Sequence, residues 1–364
     1  MSGSTFGTIF RMTTWGESHG PGIGVVVDGC PAGLPITEAD IQAHLDRRKP
    51  GQSKFTTSRK ESDTVSILSG VFEGKTTGTP IAMEVRNTNQ RSGDYSEIAS
   101  YYRPGHADFT FNAKYGFRDY TGGGRSSARE TIGRVAAGAI AMKLLSTLGI
   151  QVTAYATEIG GIAAETFSLE EIEQNPFRMA DAAAAQKVAE LVQEKIRKQD
   201  SVGGIIECMA TGLPAGLGDP VFDKLDASLA KAICSIGAVK GFEIGDGFAA
   251  AKAFGSTNND AFCIQDGAVS KKTNHAGGIL GGISDGSPLI LRAAIKPTPS
   301  IAATQQTVNT SGEEIDIQIK GRHDPIIVPR AVVVVEAMTA ITITDALLMN
   351  MSSRLDSVCS FYKR

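Results

Sequence analysis

The chain has 364 residues, 41% hydrophobic and 21% charged, with a formal net charge of −3 and a pI near 6.0. That length supplies ample chain for a buried core, and the acidic balance excludes a dedicated nucleic-acid or membrane-surface protein, which carries a positive excess. The five cysteines (Cys30, Cys208, Cys234, Cys263, Cys359) are scattered and never in C-x-x-C spacing, so neither a disulfide framework nor a zinc site is signalled and a reducing cytoplasm is the expected home.

The N-terminal "MSGSTFGTIFRMTTWG" has no apolar leader, and runs such as "RVAAGAIAMKLL" carry charges within helical length, so neither an export signal nor a membrane span is expected. Gly16 to Gly20, "GESHG", matches the G-x-S-x-G nucleophile elbow, but the context is wrong. An elbow needs a strand before the serine and a helix after it. Here Pro21-Gly22 follows, and "IGVVVDG" reads as a β-branched strand. What remains is a turn exposing Ser18 and His19.

Thr37 can cap a helix over "EADIQAHLDRR", which leads into a basic segment of about residues 46–61 containing Arg47, Arg48, Lys49, Lys54, Arg59 and Lys60. Broken by Pro50-Gly51, this segment is either a solvated loop or a lid that brings cations to an anionic substrate. The runs "TVSILSG" and "TPIAMEVRN" read as strands. Ser127 with Glu130 spells a capping box ahead of the helix "TIGRVAAGAIAMKLLSTLG", and Ser168 with Glu171 spells another. An amphipathic surface helix is expected over Met179 to Asp200, and Asp219-Pro220 reads as an N-cap with proline at N1 for "VFDKLDASLAKAICS". Further strands are expected in "VGGIIECMATG", "GFEIGDGFAAAKAFG" and "SPLILRAAIKP". Strands and helices mix without strict βαβ alternation, and several strand pairs have hairpin-length connections. This predicts an α+β fold with largely antiparallel sheets, in a single domain spanning 1–364 because no linker or repeat divides the chain.

The most informative stretch is "RPGHADFTFNAKYGFRDYTGGGRSSARE", Arg103 to Glu130. Glycines, Arg125 and two hydroxyl residues lead into a helix start, where free N–H groups and the helix dipole favour an anion. The Walker A spacing and its lysine are absent, so this is not a P-loop. Of the five histidines, His19, His106, His275 and His323 sit in glycine- or proline-flanked loops suited to ligand chemistry, whereas His44 lies inside a helix and reads as a surface residue. No metal-ligand spacing such as H-E-x-x-H occurs, so no metal is expected. Late loops "NHAGGILGGISDGSP", "IKPTPS" and "KGRHDP" suggest a second, larger anionic ligand. A kinase using the GGGRSS turn and an RNA-binding module using the basic segment are the competing readings; the latter lacks aromatic partners beyond Phe55.

Taken in order along nearly the whole chain, "GESHG", "RPGHAD", "GGGRSSARET", "HAGGILGG", "KPTPS" and "GRHDP" resemble the chorismate synthase family. The resemblance implies a β-α-β sandwich of two sheets around helices and a homotetramer. It implies elimination of phosphate from 5-enolpyruvylshikimate 3-phosphate to give chorismate, requiring reduced FMN without net redox change. NADPH would be an indirect source of electrons through a separate flavin reductase, since the chain has no room for one of its own. By motif, His19 is implied as the acid for the departing phosphate, His106 as the residue protonating reduced flavin, and Ser18 and Ser127 as relays. Asp324, flanked by His323 and Arg322, is implied as a base. FMN contacts would fall on Arg125, Ser126, Ser127, Gly237, Ala238, Gly278, Lys296, Pro297, Thr298, Pro299, Ser300 and Arg322. Arg48, Lys54, Arg103 and Arg129 would hold the substrate's anions. Lys54 stands where many members of the family carry arginine, and it cannot make a bidentate fork.

Overall fold

A computed structural model describes residues 3–56, 61–87, 97–319 and 324–363. The first sheet has five strands: β1 (Thr5–Phe6), β2 (Arg11–Gly16), β3 (Gly22–Asp28), β4 (Val65–Ile67) and β5 (Ile81–Arg86), in the order β1-β2-β3-β5-β4. The second also has five: β6 (Gln151–Ile159), β7 (Ile162–Ala163), β8 (Gly204–Thr211), β9 (Val239–Ile244) and β10 (Leu289–Ile295), in the order β9-β10-β8-β6-β7. Every pairing in both is antiparallel, as the hairpin-length connections predict. Strand β2 was not expected from the sequence, and it makes "GESHG" the turn of the β2–β3 hairpin.

The main helices are α1 (Glu38–Arg48), α2 (Asp108–Tyr115), α3 (Thr131–Ser146), α4 (Ala182–Arg197), α5 (Leu225–Cys234) and α6 (Val328–Asn350). Helix α3 packs on strands β2, β3 and β5 of the first sheet, α6 packs on β6 and β8 of the second, and the two helices pack on each other. Their crossing is close because Gly138 has no side chain: a Cβ there would stand 2.3 Å from the Ala337 Cβ. The chain is thus an α+β protein with its core on and between these helices.

Helix α6 has no counterpart in the sequence reading. "VVVVEAMTAITIT" is rich in β-branched residues and apolar on every face, so neither propensity nor a 3.6-residue stripe marks it. Among the described residues it is the one helix long and apolar enough to cross a membrane, and Val332 to Ala346 are buried inside the protein. Its two acidic residues are both used internally. Asp345 accepts the N–H groups of Thr8, Ile9 and Phe10 at 2.7–3.0 Å, and Glu336 accepts Ala154 N at 3.1 Å and Arg47 Nη1 at 2.5 Å.

The Thr37 cap is found as expected, and other helix starts differ from expectation. Thr37 and Asp40 form a reciprocal capping box on α1, and Asp181 caps α4. Ser127 instead caps a single 3₁₀ turn, Ala128–Glu130, while the Glu130 carboxylate accepts from Thr14 Oγ1 and Arg134 Nε, so the expected box is not closed. The Ser168–Glu171 box is absent: the short helix Glu171–Gln174 has no side-chain cap. Asp219-Pro220 starts no helix, and α5 begins six residues beyond Asp219, at Leu225.

Candidate active site

The GGGRSSARE segment is the centre on which the other loops converge. Gly122, Gly123 and Gly124 all have left-handed φ (+68°, +84° and +51°), a conformation glycine adopts without strain. A Cβ at Gly122 would stand 2.2 Å from His19 Nδ1 and 2.8 Å from Ser18 Oγ; one at Gly123 would stand 3.1 Å from both His106 Cε1 and Ser126 Oγ. Consecutive glycines therefore face the two loop histidines, and the missing side chains make room for both rings. Ser18, 6% exposed, lies 3.2 Å from His19 Nδ1 and donates to Thr121 O at 3.4 Å.

His106 is held from behind. Its Nδ1 lies 2.9 Å from Asp108 Oδ1, and the same carboxylate takes Arg103 Nε at 2.8 Å, Arg103 Nη2 at 2.9 Å and Arg103 N at 3.0 Å. Burial works to raise the Asp108 pKa, but the bonds from Arg103 and His106 outweigh it and hold the carboxyl well below the usual range. Arg103 is only 6% exposed, with its guanidinium turned to Asp108 and His106. The next loop joins here: Lys296 Nζ donates to Gly105 O, and a Cβ at Gly105 would stand 3.2 Å from Pro299 Cβ. Burial lowers the Lys296 pKa, with Lys240 adding to the effect. Thr298 Oγ1 is buried without a hydrogen-bond partner, and Thr298 O accepts from Ser201 Oγ at 2.8 Å. Ala238, another residue with positive φ (+74°), gives its carbonyl to Lys296 N at 2.9 Å, with Gly237 beside it exposed.

On the other flank of the same segment lies a cluster of ion pairs. Asp63 takes Arg48 Nη2 at 2.7 Å on one oxygen and Arg129 Nη1 at 3.0 Å on the other. Arg48 also donates to Ala128 O and Thr131 Oγ1, and Arg129 to Asn87 Oδ1. Arg330, in the first turn of α6, donates to Arg48 O at 2.9 Å and to Asp324 Oδ2 at 2.5 Å. Asp324 is therefore paired with Arg330; Arg322 and His323, expected to flank it electrostatically, lie outside the described residues.

Arg48 is 1% exposed and stands at the end of α1 with its guanidinium on Asp63. Within the basic segment of about residues 46–61, Phe55 is buried against Phe177 at a ring separation of 4.9 Å. Lys54 sits exposed over Phe55, and residues 57–60 lie outside the described ones. Arg125 points back into the β2 end, donating to Thr14 Oγ1 at 2.7 Å and Gly16 O at 3.2 Å, and so fixes the Ser18–His19 turn. Ser127 Oγ accepts Arg129 N, and Ser126 Oγ donates to Gly123 O at 2.7 Å.

Gly278 is not brought to this site. Its N–H donates to Asn274 Oδ1, and its neighbours are Pro288 and Leu289 at the start of β10, whereas Lys296 follows the far end of that seven-residue strand, roughly 20 Å away at about 3.3 Å per residue. His275 in the same loop is braced by Asp260, which takes its N and Nδ1 at 2.8 and 2.9 Å. His44, expected on the surface, is half-buried with Nδ1 unpartnered, and burial lowers its pKa. The residues the sequence reading missed are Asp63, Asp108 and Arg330. Asp108 was visible in "RPGHAD" as a carboxylate two residues from a loop histidine, while the other two carry no local signal.

The chorismate synthase family model matches residues 10–348. Among curated relatives, the chorismate synthase of Agathobacter rectalis is 70% identical, with both chains covered in full. That of Lachnospira eligens is 66% identical over all of both chains, and that of Methanocella arvoryzae 60% over 96% of this chain and 95% of its own. A solved structure described as a crystal structure of chorismate synthase is 32% identical, with a TM-score of 0.76, covering 98% of this chain and 97% of that one. With this coverage and the histidines and glycine loop in place, the chain belongs to the chorismate synthase family of lyases.

Proposed function

We propose that this chain converts 5-enolpyruvylshikimate 3-phosphate to chorismate by trans-1,4-elimination of phosphate, with reduced FMN bound beside Gly123 and the Lys296–Ser300 loop. The observation that carries the reading is the placement of His19 and His106 on consecutive glycines of one turn. Two imidazoles from different loops, facing one glycine turn, supply separate proton donors, as expected if one serves the departing phosphate and the other the cofactor.

The residues present suit a flavin mononucleotide. The Thr298 hydroxyl, buried and unpartnered, is an orphan that a phosphate or ring oxygen would satisfy, and Gly237 has open space where a side chain would be. Ser126, Ser127, Gly237, Ala238, Lys296, Pro297, Thr298, Pro299, Ser300 and Arg322 are the contacts proposed, with Arg125 positioning the turn from behind. When bound and reduced, the flavin supplies electron density for carbon–oxygen cleavage and returns to its starting state. The protein's part is to position and to protonate. His19 gives a proton to the leaving phosphate, with Ser18 orienting its Nδ1 edge; His106 holds a proton toward the cofactor, with Ser127 as relay. Asp324, held by Arg330, acts as base.

Arg48, Lys54, Arg103 and Arg129 are the proposed anion contacts for the substrate. The fold is proposed as a β-α-β sandwich forming one domain across 1–364, with the basic segment of about residues 46–61 closing over the substrate. Exposed Phe248, Phe254, Phe262, Ile264 and Val269, 64–78% exposed on one excursion of the chain, support self-association as the homotetramer. Reduced FMN would come from a separate NADPH-dependent reductase in the cytoplasm.

An anaerobic assay tests the reading. Purified protein with enolpyruvylshikimate phosphate should yield chorismate with reduced FMN and none without it, with no stoichiometric loss of reductant. Turnover with oxidised flavin under air, or one NADPH consumed per product, would refute it.

A further inference from the structure

The geometry points to Asp108 as a positioning residue that fixes the tautomer of His106, keeping a proton on Nδ1 and making Nε2 the nitrogen that works on the ligand side. This rests on the proposed role of His106, but it assigns a function to Asp108 that the motif alone does not.

The argument is one of hydrogen-bond capacity. A neutral imidazole has one donor nitrogen and one acceptor. His106 Nδ1 has two polar neighbours, Asp108 Oδ1 at 2.9 Å and Arg103 Nη2 at 3.0 Å, and the two demand opposite things of it. A bare lone pair at Nδ1 would face an ionised carboxylate, which only accepts, across a hydrogen-bond distance. A proton at Nδ1 faces a guanidinium whose Nη2 already donates to that same Oδ1 at 2.9 Å. The Arg103 hydrogens already have acceptors on Asp108, whereas the carboxylate can only accept, so the arrangement that keeps two lone pairs from meeting at 2.9 Å places the proton on Nδ1. The carboxylate itself cannot turn away, because Arg103 N, Nε and Nη2 fix both its oxygens and Asp108 is 3% exposed.

With Nδ1 committed, the free edge of the ring is Cε1 and Nε2. That edge faces the missing Cβ of Gly123, at 3.1 and 3.2 Å, beside Ser126 Oγ. Nε2 is then either a lone pair or, in the imidazolium, an N–H aimed into the loop that the reading above gives to the cofactor. Asp108 never needs to touch a ligand. It acts through His106, as a carboxylate behind a catalytic imidazole does in hydrolase triads.

The test is ¹⁵N NMR of histidine-labelled protein at a pH where the ring is neutral, with the His106 signal assigned by its loss in His106→Gln. The expected result is a protonated Nδ1 and an unprotonated Nε2 in the wild type. In Asp108→Asn the amide can offer its own N–H to Nδ1, so the tautomer should switch to Nε2–H. Turnover should fall by about 10²–10⁴-fold, while flavin binding, read by fluorescence quenching, and substrate KM change little. A wild-type ring carrying its proton on Nε2 would overturn the proposal, as would an Asp108→Asn protein that keeps both the tautomer and the rate. If near-UV circular dichroism shows that the variant has lost its fold, the wild-type tautomer alone decides. Absence of any elimination activity in the wild type would strike the functional reading and leave the tautomer result standing.

Discussion

The two flanks of the GGGRSSARE segment contain the same kinds of side chain arranged to opposite ends. On the histidine flank, Asp108 and Arg103 stand behind His106 and leave its Cε1–Nε2 edge turned to Gly123. On the arginine flank, Asp63 lies between Arg48 and Arg129 and binds each on a separate oxygen, and burial opposes the charge on Arg48, lowering its pKa. A buried charge must be paired, and here the pairing is incomplete, since Arg48 Nε is buried without a hydrogen-bond partner. The histidine flank turns an imidazole edge toward the glycine loop, whereas the arginine flank ties the segment to Asp63.

Variants on the two flanks should fail differently. The largest effect is expected from His106→Ala, which should cut turnover by about 10²–10⁴-fold while the thermal unfolding midpoint stays close to wild type, since Arg103 still neutralises Asp108. Anaerobic stopped-flow assays alongside calorimetry separate rate from stability, and a destabilised variant of normal rate would reverse the assignment of this flank. Asp63→Ala should do the opposite. It leaves two guanidiniums facing each other without their shared carboxylate, and breaking buried pairs of this kind costs about 3–5 kcal/mol, read by denaturant unfolding.

Gly122→Ala tests the junction between the flanks. The new Cβ meets His19 at 2.2 Å with φ at +68°, and strain of this type costs of order 1–3 kcal/mol. The rate should fall more than the substrate KM rises, because the displaced group is the proposed proton donor; a change confined to KM would place His19 in binding instead. Acid titration offers a smaller signal. Asp108 has a folded pKa depressed below its ordinary 3.8, so its stabilisation is complete above that value and is lost as pH falls through it toward the lower folded pKa. The acid limb of the stability curve should therefore be shallower in Asp108→Asn, and an unchanged limb would mean that the Arg103 bonds stabilise nothing. The smallest effect is expected at Lys54, which is exposed and lies over the Phe55 ring. Lys54→Ala should leave stability within about 0.5 kcal/mol and raise substrate KM modestly; no change in KM would remove it from the anion contacts.

Much of the site was legible in the chain because it is built from local chemistry. Glycines beside histidines, a proline-rich KPTPS and an arginine next to paired serines are turn residues with reactive side chains, and turns announce themselves within a few positions. The strands with alternating or β-branched runs were legible for the same reason. Helix α6 was not, since Val332 to Val335 and Thr339 to Thr344 favour a strand by propensity and are helical only because two layers of structure bury them on all sides. The capping boxes at Ser127 and Ser168 failed because Glu130 found better partners in Thr14 and Arg134, and nothing in the local sequence weighs such competition.

The sequence by itself determined which side chains can carry protons and hold anions, and in which turns they stand. Only the tertiary structure decided which of them are spent. Arg48, Arg103 and Arg125 look alike in the sequence as cations beside glycine or proline turns, yet each has its guanidinium taken up by partners inside the protein. Arg48 finds Asp63 fifteen residues away, and Arg125 finds Thr14 more than a hundred residues away. A charge leaving water must be matched wherever the fold places it, and that match is made in space after the chain has closed, where no spacing along the sequence records it.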